Sequence, residues 1–268
     1  MSAFDPPVNR RDLPDQTLYL RELAAIQLGE NADEIQERID AHLRVYTGVI
    51  DSLVRTHEEI ADRSDIDLEA ETRWVVLWEL GGRCLSVARV LLHDLRGGFA
   101  SEAVGTLRGL HEAIQLLAAL AFHLEEDAAR RWLAGEWIRP KEARRIQGRK
   151  QAFAAERMAE AGIEPEGGDL VELGQEIYGP LSESAHHRRG GFRESVSAPL
   201  RKFAYGPHPD PTTRAAWVDY AGELLEEVVI VVGDAFNDIV AGDYMQEYVG
   251  PLKARLADVR KSHSLDGY

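Results

Sequence analysis

The chain has 268 residues, of which 44% are hydrophobic and 29% are charged, as expected for a globular protein with a substantial core. Its 31 Lys and Arg residues against 46 Asp and Glu residues give a formal net charge of −15. A surface this acidic repels nucleic acid, so any contact with RNA must use a local basic patch.

Cys84 is the only cysteine, which excludes an internal disulfide and a thiolate-rich metal site. The opening stretch MSAFDPPVNRRDLPDQ has no apolar segment of the kind that a secretory signal requires. The longest apolar run, 113–124, is interrupted by Gln115 and His123 and is too short to cross a bilayer. We therefore predict a cytoplasmic protein without a membrane segment.

The first helices are predicted from periodicity and end signals. A polar tail over 1–13 precedes a short helix over 14–28. The NADE stretch, with Asn31 and Glu34 spaced as in a capping box, then predicts the start of a long amphipathic helix. Its apolar face repeats at three- and four-residue steps and consists of Ile35, Ile39, Tyr46, Ile50, Leu53, His57 and Ile60.

Two further helices follow in the first half of the chain. One starts near Glu69 and ends at the glycines of RGG, Gly97 and Gly98, a C-terminal signal. The next, Ser101–Leu124, is apolar over most of its circumference, which is typical of a helix in the middle of a bundle. Its remaining polar stripe consists of Ser101, Gly105, Arg108, Glu112, Gln115, Ala119 and His123.

Aromatic and histidine side chains on these helices are assigned to the core or its boundary. The five tryptophans fall on apolar faces and are predicted to be core residues: Trp74, Trp78, Trp132, Trp137 and Trp217. His111 and His123 are predicted to be boundary histidines with satisfied hydrogen bonds.

The second half of the chain continues the helical pattern. Charged helices are predicted over 125–138 and 141–161, a short one over 169–177, and two more over 215–240 and 244–259. VVIVVG, at 228–233, resembles a buried strand but lies in a helix-period pattern. We predict an all-α single-domain bundle of about seven to nine helices over 14–262, with an irregular loop over 188–213 and a polar tail over 263–268.

The stretch YGPLSESAHHRRGGF, at 178–192, holds the densest group of reactive residue types. Glu183 and His186 have the three-residue spacing of a bundle metal ligand pair. The chain has only one such unit, so no metal or other cofactor is predicted. Ser182 and His186 share a helix face, which leaves a Ser–His nucleophile as an alternative.

A third interpretation is acid–base chemistry on a phosphodiester. His186 and His187 would transfer protons while the nearby arginines bind phosphate, namely Arg188, Arg189 and Arg193. The competing interpretation is structural: the same side chains cap a helix C-terminus before Gly190 and Gly191. The pattern leaves both open.

Two segments within residues 70–190 resemble a bacterial all-helical family of unassigned function. The matching motifs are Arg-x3-Glu, at Arg108 and Glu112, and Tyr-x2-Leu-Ser-x3-His. The resemblance implies one inter-helical polar cluster of Arg108, Glu112, Tyr178, Ser182 and His186. The family is distantly similar to HEPN helical domains, many of which are metal-independent ribonucleases. Their Arg-x4–6-His motif is one residue short at Arg38–His42 and at Arg89–His93.

These observations predict a helical binding or interaction protein, expected to be a homo-oligomer, that holds a small anionic or nucleotide-like ligand or a partner protein. The alternative is a HEPN-like ribonuclease or toxin acting in phage defence, with RNA at the local basic patch. A metal-dependent helical-bundle enzyme is a further alternative. The candidate catalytic residues are His186, His187, Ser182 and Glu112, and the candidate ligand-binding residues are Arg108, Tyr178, Arg188, Arg189 and Arg193.

Overall fold

The computed structural model describes residues 31–120, 126–149, 196–197, 202–203, 211–240 and 245–265. These ranges contain seven α-helices: α1 Asn31–Asp62, α2 Thr72–Gly97, α3 Ala100–Leu120, α4 Glu126–Leu133, α5 over 140–149, α6 Pro211–Val240 and α7 Gly250–Ser262. A 3-10 turn, Leu68–Ala70, precedes α2, and a π-helical turn, Met245–Val249, precedes α7. Val196–Ser197 (β1) pairs antiparallel with Lys202–Phe203 (β2). The prediction of an all-α multi-helix bundle is confirmed.

The helix α1 forms where its apolar periodicity predicted it. Six of the seven residues predicted on its inner face are buried, and His57 is half-buried. The helix α2 ends as the RGG signal predicted, because Gly98 takes a left-handed φ of 78°. The backbone N–H of Phe99 donates to Asp94 O over 2.9 Å, which closes the helix in the manner of a Schellman motif.

The beginning of α2 and the end of α4 differ from the prediction. Residues 68–70 form a separate 3-10 turn capped by Asp67, and α2 begins only at Thr72. The helix α4 ends at Leu133 rather than at Ile138, because Gly135 adopts a φ of 81°. The backbone N–H of Glu136 donates to Arg131 O over 2.9 Å, so the chain turns before the predicted helix is complete.

The described helices pack around a single hydrophobic core, and α3 and α6 contribute many of its buried residues. The helix α3 packs on α2 and α6, whereas α6 also contacts α1, α2 and α7. The VVIVVG stretch is helical, as predicted, with Val228, Val229 and Val232 buried. The predicted stripe of α3 is not uniformly polar or exposed, since Gln115 and Ala119 are buried.

Two further corrections concern α6 and α7. The helix α6 begins at Pro211, four residues before the predicted start, because proline is well tolerated in a first helical turn. The predicted helix 244–259 starts as a π-helical turn and becomes α-helical at Gly250. Pro251 has no backbone N–H, so the regular hydrogen-bond ladder cannot continue through it.

The tryptophan prediction is confirmed at four positions and wrong at one. Trp74, Trp78, Trp132 and Trp217 pack against the core, whereas Trp137 is 73% exposed in the turn before α5. The guanidinium of Arg139 lies 5.7 Å from the Trp137 ring centroid. The predicted tail 1–13, the helices over 14–28 and 169–177, and most of the loop 188–213 lie outside the described residues.

A close contact between α1 and α6 joins Tyr46 to Gly222, and both residues are buried. A Cβ atom at Gly222 would lie 2.2 Å from Tyr46 Oη, whereas one at Gly105 meets no atom within 4 Å in the described part of the chain. The two helical glycines therefore differ in whether an added methyl group has space.

We expect Gly222→Ala to lower the free energy of unfolding by about 1–3 kcal/mol, because the rigid tyrosine ring must move in a packed core. Gly105→Ala, the matched control, should raise it by up to about 1 kcal/mol through helix propensity alone. Urea denaturation of both variants measures the difference. If Gly222→Ala and Gly105→Ala had equal free energies of unfolding, the contact between α1 and α6 would be loosely packed.

Candidate functional site

Two of the five residues of the predicted cluster lie in the described chain, and they form an ion pair on α3. Arg108 Nε donates to Glu112 Oε1 over 2.9 Å, and the two side chains are 16% and 31% exposed. This partial burial agrees with the prediction from the apolar surroundings. The other candidate residues lie outside the described part of the chain: Tyr178, Ser182, His186, His187, Arg188, Arg189 and Arg193.

Two buried polar side chains lie beside this ion pair. His111 Nε2 is 2.7 Å from the side-chain amide nitrogen of Gln115, one helical turn away on α3. With the amide donating, the imidazole is neutral and carries its proton on Nδ1. Burial lowers the pKa of His111, and the positive charge of Arg144 on α5 lowers it further against the opposing effect of Glu112. The neutral form is therefore favoured.

This arrangement leaves one hydrogen-bonding atom on each side chain without a partner. His111 Nδ1 and Gln115 Oε1 are buried and make no hydrogen bond within the described chain. The prediction that His111 is fully satisfied is therefore wrong for one of its two nitrogens, and His123 lies outside the described residues. A buried polar atom without a partner costs about 1–3 kcal/mol. We call Arg108, His111, Glu112, Gln115 and Arg144 the α3 polar cluster.

A second polar network joins α1, α6 and α7. The buried His42 ring has its Nε2 2.9 Å from the carbonyl oxygen of His263 and its Nδ1 2.9 Å from Tyr46 Oη. A carbonyl can only accept, so Nε2 carries the proton and Nδ1 accepts from the tyrosine hydroxyl. Burial is the main cause that lowers the pKa of His42, against the hydrogen bond to His263 and the charge of Asp219.

Arg260 of α7 completes this network on the solvent side. Its guanidinium lies 3.4 Å from Asp219 Oδ1 and 3.2 Å from Glu223 Oε1, both on α6. Burial raises the pKa of Tyr46, and Asp219 raises it further, so its hydroxyl remains a donor. Sequence reasoning noted His42 only in a failed ribonuclease motif. The sequence pattern that could have indicated the contact is the four-residue spacing of His42 and Tyr46 on the buried face of α1.

Other buried and half-buried polar groups hold the helices together. Arg73 of α2 forms an ion pair with both carboxylate oxygens of Asp238 on α6. His57 stacks on Trp78 with ring centroids 4.6 Å apart, and its Nε2 donates to Trp78 O over 2.9 Å. Burial raises the pKa of the Cys84 thiol to about 12, so this cysteine is not a nucleophile near neutral pH.

The described residues contain neither a metal-ligand cluster nor a membrane-spanning helix. No group of three or more His, Cys, Asp or Glu side chains within them could hold a metal ion. The Glu183–His186 unit lies outside these ranges. None of the helices within the described ranges is long and apolar enough to cross a membrane.

The chain matches no family model, and comparisons with curated proteins and with solved structures also give no significant match. The resemblance to a bacterial helical family and to HEPN domains therefore stays a prediction.

The neutral state of His42 predicts a pH dependence. In the unfolded chain this histidine binds a proton near its ordinary pKa of 6.5, whereas the folded chain binds it only at lower pH. As pH falls below 6.5 the unfolded state therefore binds more protons, and stability decreases by up to about 1.4 kcal/mol per pH unit. Below the folded pKa the loss attributable to His42 stops growing.

We expect His42→Gln, whose amide can still donate to the His263 carbonyl, to show a shallower loss of stability between pH 7 and pH 5 than wild type. The control is His93→Gln, at an exposed position of α2, which should follow the wild-type profile. The measurement is the urea midpoint across this pH range. Parallel profiles for wild type and His42→Gln would contradict the buried neutral imidazole.

Proposed function

We propose that this chain is a helical binding protein that holds a small anionic, nucleotide-like ligand at the α3 polar cluster. The supporting observation is that His111 Nδ1 and Gln115 Oε1, on two side chains that contact each other, are buried and have no hydrogen-bond partner within the described chain. Native proteins rarely leave buried polar atoms unsatisfied, and such exceptions point to a functional or ligand-filled site.

The chemistry of these two atoms favours a particular ligand. The imidazole N–H is a donor and the amide oxygen is an acceptor, so together they complement a group that offers an acceptor beside a donor. The edge of a nucleobase has that pattern. A nucleobase therefore offers a partner of the right type for each buried atom, and each hydrogen bond that forms recovers part of the desolvation cost.

The charges around the pair favour an anionic ligand. Arg108 and Arg144 are the cationic members of the cluster, and Glu112 holds the Arg108 guanidinium in one orientation. Guanidinium groups suit phosphate because they donate in a planar fork. The arginines at 188, 189 and 193 remain predicted contributors from a segment outside the described residues, and a homo-oligomer remains an expectation.

The two alternative functions have no described contact in their favour. A HEPN-like ribonuclease and a metal-dependent enzyme both depend on residues between 178 and 193, outside the described chain. Binding is therefore the function that the described chemistry supports best.

We expect adenosine 5′-monophosphate and guanosine 5′-monophosphate to raise the melting temperature of the purified full chain. At a ligand concentration of 100 times Kd the stabilisation is about 2.7 kcal/mol. Isothermal titration calorimetry gives the affinity directly.

The double variant His111→Leu/Gln115→Leu separates a binding role from a structural one. Replacing both polar partners by apolar groups of similar size is expected to leave the ligand-free protein as stable as wild type or up to about 2 kcal/mol more stable. The same variant should lose the part of the nucleotide affinity that depends on the base. A destabilised variant that binds nucleotide with wild-type affinity would show that the two side chains serve packing.

A further inference from the structure

A groove between α1 and α7 has the features of a second binding site. It has a volume of about 330 Å³ and is lined chiefly by Arg44, Val45, Arg255, Asp258, Val259 and His263. Small-molecule sites begin at about this volume. The α3 polar cluster contributes none of the lining, so a ligand in this groove is independent of the proposed function.

Two arginines in this groove have no acidic partner among the described residues. Neither Arg44 nor Arg255 forms an ion pair or a side-chain hydrogen bond within the described chain. Arg260, on the same helix as Arg255, contacts both Asp219 and Glu223. In a chain with 46 acidic and 31 basic residues, two such guanidinium groups facing one groove are available to an external anion.

Gly48 brings Arg255 close to the backbone of α1. A Cβ atom at position 48 would lie 3.0 Å from Arg255 Nη2, so the missing side chain leaves space for the guanidinium. Residues 44 and 48 are one helical turn apart and share a face of α1. The glycine thus allows the guanidinium of Arg255 to approach the part of the groove that Arg44 lines.

The end of α7 is held against α1, which preorganises the groove. His42 Nε2 donates to the His263 carbonyl over 2.9 Å, and Arg38 Nη1 donates to the Ser264 carbonyl over 2.7 Å. Leu265 is buried immediately afterwards, although this segment was predicted to be part of a polar tail. A wall fixed before binding reduces the conformational entropy that a ligand must remove.

Asp258 and the C-terminal end of α7 restrict which anion fits. Both place negative charge in the groove and disfavour a bare anion. The same carboxylate accepts a hydrogen bond from a hydroxyl group. The preferred ligand therefore has a dianionic group for the arginines and a hydroxyl for Asp258.

We infer that the groove between α1 and α7 binds a phosphate monoester that carries hydroxyl groups. Its phosphate lies between Arg44 and Arg255, and one of its hydroxyls donates to Asp258. Sugar phosphates and nucleoside monophosphates share this chemistry.

The test is isothermal titration calorimetry of the purified full chain with ribose 5-phosphate, which has no base for the α3 polar cluster. Ribose and inorganic phosphate are the two comparison ligands. We expect ribose 5-phosphate to bind, inorganic phosphate to bind more weakly, and ribose to give no binding heat. Adenosine 5′-monophosphate, titrated into the His111→Leu/Gln115→Leu variant, shows whether the groove also accepts a nucleotide.

Single substitutions then assign the contacts. Arg44→Gln and Arg255→Gln should each weaken binding of ribose 5-phosphate by about tenfold or more, since each removes a charge-assisted contact. The control is Arg55→Gln, an exposed arginine of α1 that bonds only to Ser52 Oγ within the described chain. This control and the His111→Leu/Gln115→Leu variant should both bind ribose 5-phosphate as wild type does.

Asp258→Ala is expected to change the two affinities in opposite directions. It should weaken binding of ribose 5-phosphate while strengthening binding of inorganic phosphate, because alanine removes the repulsive carboxylate together with the hydroxyl acceptor. Absence of binding at millimolar ribose 5-phosphate, or affinities unchanged in both arginine variants, would overturn the inference. Equal affinity of wild type for ribose 5-phosphate and inorganic phosphate would overturn the role of Asp258.

Discussion

The approach of the Tyr46 hydroxyl to Gly222 determines how α1 lies on α6, and the polar network at this end of the bundle depends on it. A side chain at position 222 would occupy the place of the hydroxyl. With glycine there, the hydroxyl donates to His42 Nδ1, and the opposite ring nitrogen donates to the carbonyl of His263. One buried imidazole therefore links the tight contact between α1 and α6 to the position of the last turn of α7, and so to the shape of the groove.

The distribution of charge follows from the same packing. The helix α6 carries acidic residues on the sides that face its neighbours, and arginines from α2 and α7 neutralise several of them. Arg73 pairs with Asp238, and Arg260 lies against Asp219 and Glu223. These arginines hold neighbouring helices together. Arg44 and Arg255 line the groove between α1 and α7, to which α6 contributes no lining residue within the described chain. Because several acidic residues of α6 pair with arginines outside the groove, these carboxylates do not neutralise Arg44 and Arg255.

Helices could be predicted from the sequence because their signals are local. The periodicity of α1, the Gly98 terminator and the ion-pair spacing of Arg108 and Glu112 each lie within a few residues. The contact of His42 with His263 joins positions 221 residues apart, and no spacing rule can reveal it. The prediction that Trp137 is a core residue was wrong because it assumed that the helix continues past this position. The left-handed turn at Gly135 ends α4 earlier, and the Trp137 ring is exposed to solvent.

His42 and His111 show how burial alone fails to separate structure from function. Burial is the main cause that lowers the pKa of both histidines, so both are neutral and both cost desolvation energy. His42 recovers that cost through two hydrogen bonds, to a tyrosine and to a carbonyl that positions α7. His111 recovers only part of it, through Gln115, and leaves its Nδ1 without a partner in the described chain. Because both ring nitrogens of His42 are hydrogen-bonded, this histidine has a structural role. A ligand would correct the incomplete satisfaction of His111, and this is the physical basis of the proposal that the α3 polar cluster binds one.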